Sequence, residues 1–392
     1  MGELKIERFN TDAGNSITAS IINGNVQPVE EIPTAVVQLA DNKAKDYFPD
    51  KISKNELRKS ILLKVNGQCY LVGDVARRVM GNDLHINGEL HSKVKSNIPY
   101  IMWLATIAVY DAENNQTNEE DTEISIDYFS TMLPIFELQS AEKFSMVKEE
   151  MAERFIGEHS FEVLTTGCEK KITVKVERSK CYEESLVAKY AIQYKTNLDA
   201  NPAATKFMGF RTILVDLGGG TIDVVLLGTA LDKPKKRSDF KTITEAPFLG
   251  LIKELREGAL RSYFKSAREL ETFIVRNFNN DSYIWEDSKT GETVDLSTII
   301  QTALRNYTDE IISIVLNMYP TLEQGERYKY VYFGGVAPIL SKFIIEALQK
   351  RYTENVVKEY HHIEPDHTSR FLNLYGLETI SIQNTKVNAA NN

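Results

Sequence analysis

The stretch from Arg211 to Gly228, RTILVDLGGGTIDVVLLG, constrains the fold of this chain more than any other. Two β-rich apolar runs flank Gly218-Gly219-Gly220, with Asp216 closing the first run, Thr221 following the glycines and Asp223 leading into the second run. Glycine tolerates positive φ and carries no Cβ, so successive backbone N–H groups can converge on an anion. A turn of this kind can cradle phosphates. Asp216 is then placed to hold Mg2+ through water, since that ion keeps several waters beside one or two carboxylates and the substrate phosphates. The pattern is not a Walker A loop, which needs Gly-Lys-Ser/Thr. Nor is it a dinucleotide fingerprint, whose glycine turn opens a helix and not a second strand.

A fainter copy lies near the N-terminus. LKIERF and ITASIING flank the polar turn TDAGNS, so that Asp12, Gly14, Asn15, Ser16 and Thr18 stand in the same strand-turn-strand setting as the Asp216 turn. Asp-x-Gly alone is weak, but its recurrence in both halves points to duplication at long range. A third element runs from Tyr328 to Leu340: an apolar strand, YKYVYF, then Gly334-Gly335-Val336-Ala337-Pro338, then an amphipathic helix. Two glycines ahead of a helix N-terminus admit a flat base or a phosphate.

Between these elements the pattern alternates strands and helices, which indicates α/β construction in two similar halves. The first 40 residues have a β-meander signature, and ILLKVNGQCYLVG predicts a hairpin about Asn66-Gly67. From Ile98 the sequence PYIMWLATIAVYDA predicts a helix buried nearly all round. Asp111 to Thr122 is expected to be a solvated loop. A strand ending at Leu133-Pro134 follows, then a charged helix over Ser140 to Phe155, then strand-like alternation over Phe161 to Val176. Glu183 to Tyr194 has helical period, as do Leu249 to Phe264, Ala267 to Phe278 and Leu296 to Met318. KPKKR, within Leu231 to Lys241, is expected at an exposed loop tip, and the last dozen residues, SIQNTKVNAANN, are expected to fray.

Length and charge limit the function. At roughly 100–200 residues per domain, 392 residues make two to three units, and 42% hydrophobic residues exclude disorder throughout. The formal net charge is −9, with no basic face beyond KPKKR. Phosphate neutralisation dominates nucleic-acid affinity, so direct binding is not expected and a DNA partner would require an adaptor. Cys69, Cys168 and Cys181 match neither a metal knuckle nor a disulfide framework. MGELKIERFN has no apolar core of signal-peptide length, and the Ile98 to Tyr110 run is shorter than the roughly 20 residues that span a bilayer. The expectation is a cytoplasmic protein with no membrane contact.

The three glycine turns, in this order and at these distances, resemble those of the actin-like ATPase superfamily. The second half is most similar to the plasmid-segregating ParM type through FLGLIKELREGAL, VYFGGVAPIL and SRFLNLYGLETI, and the first half agrees through YLVGDVA and the Met132-Leu133-Pro134 step. The resemblance implies an actin-like ATPase fold: two duplicated ribonuclease-H-like lobes, in four subdomains, around a nucleotide cleft. Residues 1–200 would form domain I, with about 360–392 packing back on it, and 201–360 domain II.

It also implies a plasmid-borne protein of a Gram-positive bacterium that self-assembles into filaments. Such a protein binds and hydrolyses ATP, with GTP as the alternative, uses Mg2+, and moves plasmid DNA through a DNA-binding adaptor at a centromere. Asp12 and Asp216 match the two metal-and-phosphate aspartates. Gly14, Asn15, Ser16 and Thr18 fall in the first phosphate turn, Gly218, Gly219, Gly220, Thr221 and Asp223 in the second, and Gly334, Gly335 and Val336 in the adenosine turn. Lys253 and Glu254 lie where the superfamily contacts ribose or base. Glu184 in Cys181-Tyr182-Glu183-Glu184-Ser185 matches the glutamate that orients the attacking water, with Glu183 and Gln193 as competitors. One departure is Ala19, where the family usually has a lysine. The alternatives are a chromosomal or phage filament and a sugar or metabolite kinase on the same core, although no catalytic Asp with polar sugar contacts stands out. A heat-shock-type chaperone would need a substrate-binding module, and an MreB-like protein a membrane anchor.

Overall fold

A strand whose apolar residues run without alternation must be covered on both faces, and the runs read as RTILVDL and YKYVYF form such strands. The computed structural model describes residues 2–26, 29–44, 47–80, 92–115, 121–280, 282–323 and 326–391. They divide into two units, Met1–Asn201 with Asn373–Asn392, and Pro202–Leu372.

In the first unit β1 (Gly2–Ala13) and β2 (Ile17–Ile22) form an antiparallel hairpin, and β3 (Glu30–Pro33) pairs antiparallel with β2. β4 (Val36–Leu39), β5 (Ile61–Val65) and β6 (Gln68–Val72) follow, then the long β7 (Asp121–Leu133), β8 (Gly157–Val163), β9 (Lys170–Val176) and β10 (Ser179–Glu183). β7 lies parallel to β1 and serves two neighbours: Asp121–Ile126 pair with β9, and Phe129–Leu133 with β10. The resulting path, β3-β2-β1-β7, continues to β10 on one branch and through β9-β8-β5-β6-β4 on the other. The β5–β6 turn places Asn66 and Gly67 at φ 49° and 79°, the two positive φ values that a tight I′ hairpin requires.

In the second unit β11 (Arg211–Leu217), β12 (Ile222–Thr229) and β13 (Phe240–Ile243) repeat the antiparallel trio. β14 (Ile284–Glu286) and β15 (Thr293–Asp295) make a separate hairpin, while β16 (Lys329–Phe333) and β17 (His361–Ile363) extend the sheet in parallel. The order β13-β12-β11-β16-β17 matches β3-β2-β1-β7-β10 strand for strand. The duplication indicated by two Asp-x-Gly turns therefore extends to a five-strand core, to which the first unit adds β9, β8, β5, β6 and β4.

Helices complete each core. Ile98–Asn114 is buried along most of its length, and its Trp103 ring meets Phe129 at 5.6 Å and Phe155 at 5.3 Å. In the second unit Ser297–Leu316 and Ala337–Gln349 contribute Ile300, Leu304, Ile311, Leu340 and Ile344 to one apolar cluster with β11, β12 and β16. No helix among the described residues is long and apolar enough to cross a membrane.

Several expectations change. Asp111 is not solvated: it is 2% exposed and pairs with Lys170 at 2.7 Å. Residues 116–120 of the expected loop lie outside the described residues. Glu183 and Glu184 do not start a helix, because Ser179–Glu183 is β10, a strand state imposed by pairing with β7; the helix spans only Ala188–Gln193. Nor does the C-terminal stretch fray from Ser381. It continues the helix Leu372–Asn391, with Ser381 fully buried and its hydroxyl 2.5 Å from Asn10 Oδ1, while Asn384 donates to Tyr182 Oη at 2.7 Å. Polar residues there satisfy polar atoms of β1 and β10 instead of water.

Candidate functional site

The two hairpin turns share one geometry. In the first unit Asp12 pairs with Ala19, and in the second Asp216 pairs with Asp223, the same seven-residue offset. A Cβ on Gly14 would lie 2.7 Å from Ile17 O, and one on Gly218 2.7 Å from Thr221 O. Each turn folds its own backbone against the glycine three residues earlier, so no side chain fits at either position.

The first turn is braced from behind. Thr34 Oγ1 donates to Gly14 O at 2.8 Å and lies 2.9 Å from Thr18 Oγ1; Thr34 N donates to Ser16 O at 3.1 Å, and the Arg77 guanidinium donates to the same oxygen. Thr18 is thus 1% exposed with its hydroxyl turned inward. Asp12, Gly14, Asn15 and Ser16 remain half-buried at the turn itself.

In the second unit the glycine turn meets the Gly-Gly turn. Gly218 N donates to Asp216 O at 3.2 Å and Thr221 O at 3.1 Å, and Gly219 O accepts from Leu249 N at 2.9 Å, tying the start of helix Phe248–Glu257 to the turn. Val336 N donates to Leu217 O at 3.0 Å, and Gly334, at φ +99°, donates to Ser369 O at 3.0 Å. Gly334 passes so close to Asp216 that a Cβ there would overlap Asp216 Oδ1. Asp216 and Leu217, at the start of the second glycine turn, therefore adjoin Gly334 and Val336. Over Gly335 there is open space, with nothing within 4 Å of its Cβ position.

Asp223 is 3% exposed and accepts from Thr242 Oγ1 at 2.6 Å across the sheet. Lys253 and Glu254 sit on the exposed face of their helix, while Phe248, Leu249 and Ile252 face the core; Lys253 lies 4.0 Å from Glu257.

Glu184 follows β10 directly, and its N–H donates to Leu133 O at 2.9 Å. Because β1, β7 and β10 are parallel, Asp12 and Glu184 both stand at the C-terminal edge of this sheet. Ser185, at φ +64°, makes the turn after it, held by Asn373 Oδ1 at 3.1 Å. The competitors are placed differently: Glu183 pairs with Lys148 at 2.6 Å, and Gln193 ends the Ala188–Gln193 helix.

No sequence motif marks Lys93. Its Nζ lies 3.3 Å from Glu184 Oε2, and its N–H donates to Glu137 Oε2 at 3.0 Å, partners 91 and 44 residues away with no motif between them. Burial opposes its charge, but Glu184, Asp12 and Glu137 outweigh that and hold its pKa above the ordinary lysine value.

Among the described residues no three His, Cys, Asp or Glu side chains converge into a metal cage. A hard cation carried by phosphate oxygens and water needs only one or two protein carboxylates, and Asp12 and Asp216 each stand at the mouth of a glycine turn.

Comparisons with known proteins bear on the fold as a whole. A family profile described as the Alp7A C-terminal domain matches residues 211–367. The crystal structure of the actin-like protein Alp7A is 36% identical over 99% of this chain and 99% of that one, with a TM-score of 0.90. Bacillus thuringiensis ParM with AMPPNP is 15% identical over 97% and 99%, at 0.65. A ParM from a 15-stranded filament of Clostridium botulinum is 15% identical over 98% and 100%, at 0.61. The two ParM likenesses show the fold alone. No curated protein matches the chain.

Proposed function

Since the chain belongs to the Alp7A-like family of actin-like proteins, we propose that it is a filament-forming nucleoside triphosphatase. In this reading it uses ATP, or GTP, with Mg2+ and segregates plasmid DNA through a DNA-binding adaptor. The observation that carries this is the matched pair of hairpins, Asp12-Ala13-Gly14 and Asp216-Leu217-Gly218, with one register and one glycine contact. Duplicated carboxylate-glycine turns are arranged to offer backbone N–H groups to phosphates and a carboxylate to their counter-ion. The unit Met1–Asn201 with Asn373–Asn392 serves as domain I, and Pro202–Leu372 as domain II.

Bound Mg2+ would neutralise charge developing on the phosphate oxygens. Asp12 and Asp216 would be the carboxylates that hold it through water. Gly14, Asn15 and Ser16 in one turn, and Gly218 to Thr221 in the other, orient the phosphates. The open face at Gly335 accepts the base, with Gly334 and Val336 as its floor. Glu184 orients the attacking water, a task of alignment more than of strong base catalysis. Thr18 and Asp223 act behind the turns as braces, and Lys253 and Glu254 remain candidates for the rim of the base site. The net charge of −9 favours a basic adaptor over direct contact with DNA, and such a protein works in the cytoplasm. Phosphate release from Mg-ATP and Mg-GTP tests the hydrolytic part; no release with either nucleotide would reject it.

A further inference from the structure

A buried lysine has chemistry that the proposed function does not yet use. The Lys93 side chain is 4% exposed, a depth at which an unpaired ammonium would be very unfavourable. The structure fixes its main chain first. Glu137, itself 5% exposed, accepts the N–H groups of Lys93 and Val94 at 3.0 Å each. The Arg154 guanidinium donates to the carbonyls of Lys93 at 2.8 Å and Val94 at 2.6 Å. With the backbone clamped by two charged groups from other segments, Nζ reaches Glu184 Oε2 at 3.3 Å, within electrostatic range of Asp12.

Glu137 is the more deeply buried of the two carboxylates that hydrogen-bond Lys93. Both Glu137 oxygens take backbone N–H groups, and the ammonium goes to Glu184, which is 21% exposed at the sheet edge. The adjacent Glu183 has its own lysine, Lys148, so the Lys93–Glu184 pair is not shared with it.

We propose that Lys93 is a positioning residue of the hydrolytic site: its ammonium holds one oxygen of Glu184 and offsets the Asp12 charge, leaving the second Glu184 oxygen oriented toward water. This rests on the water-orienting role proposed for Glu184. Holding a carboxylate in one orientation matters because a misplacement of about 1 Å can cost on the order of a hundredfold in rate.

The test uses the full chain as wild type, Lys93→Met, Glu184→Gln and the double variant. In thermal unfolding without nucleotide, Lys93→Met lowers the midpoint by taking from Glu184 its ion-pair partner, and adding Glu184→Gln restores part of that loss. In single-turnover ATP hydrolysis, each single variant slows the step by about tenfold or more while affinity for a fluorescent ATP analogue stays within about threefold. The double variant is no slower than Glu184→Gln alone, because the two act as a unit. Wild-type turnover in Lys93→Met, or losses that multiply in the double variant, overturns the proposal. If Lys93→Met fails to fold, Lys93→Arg, which keeps the charge but moves it, must slow hydrolysis without loss of affinity; unchanged turnover there is equally fatal. A wild-type protein that hydrolyses nothing defeats the hydrolytic reading itself, whereas wild-type hydrolysis with an indifferent position 93 defeats the role of Lys93 alone.

Discussion

Gly334 passes over the Asp216 carboxylate with no room for a side chain: a Cβ there would overlap Asp216 Oδ1 and stand 2.8 Å from Leu217 O, at a backbone φ of +99°. Its neighbour Gly335 faces open space. Gly334→Ala is therefore expected to lower stability by about 2–4 kcal/mol through steric overlap and left-handed strain. Gly335→Ala should change stability by less than about 1 kcal/mol, yet weaken nucleotide binding by filling the space left for a base. Urea unfolding and a nucleotide titration on both variants separate the two effects.

The Asp216 carboxylate is 7% exposed beneath that turn. Asp216→Ala is expected to abolish nucleotide turnover, a loss of at least about a hundredfold. Retained hydrolysis would refute its assignment to the metal.

Behind Asp12 the first unit contains a polar network inside its core. Glu378, 1% exposed in its side chain, accepts from Arg8 at 3.2 Å and from Asn10 Nδ2 at 2.5 Å. Removing the cation with Arg8→Met leaves a buried anion, a change expected to cost about 3–5 kcal/mol; adding Glu378→Gln should recover part of it. Burial raises the Glu378 pKa above the ordinary glutamate value despite Arg8. The native state thus keeps this proton to higher pH than the unfolded chain, and the contribution of the group to stability falls as pH rises from the ordinary carboxylate range toward the native value. Thermal midpoints measured against pH should show that decline in wild type and not in Glu378→Gln.

His361 titrates with the opposite sign. Its ring stacks on Tyr330 at 4.7 Å and its Nδ1 lies 3.0 Å from Tyr332 Oη; burial lowers its pKa to about 4, with Arg327 adding to the shift. Here the unfolded chain binds the proton first, so stability is lost as pH falls from about 6.5 to about 4, by on the order of 3 kcal/mol. His361→Phe keeps an aromatic ring and should remove that slope from the pH profile of unfolding.

Which features were legible in the sequence follows from what determined each one. The Asn66-Gly67 hairpin, the β11–β12 turn and β16 are set by residues adjacent in the chain, and they stand where the pattern put them. The helical period that begins at Glu183 overruns the structure, whose helix starts at Ala188, because pairing with β7, about 50 residues earlier, holds Ser179–Glu183 as β10. The polar end of helix Leu372–Asn391 resembled a frayed tail because its partners, Asn10, Tyr128 and Tyr182, are remote in sequence. Lys93 was invisible for the same reason: its environment of Glu137, Arg154 and Glu184 exists only after folding. The glycine turns were legible because their backbone geometry admits few other residues.

Nucleotide-dependent filament assembly is the direct test of the proposed function. Purified protein at tens of micromolar should scatter light and show filaments in negative stain after Mg-ATP or Mg-GTP is added, and remain dispersed without nucleotide. Protein that stays monomeric with both nucleotides across that concentration range would contradict it.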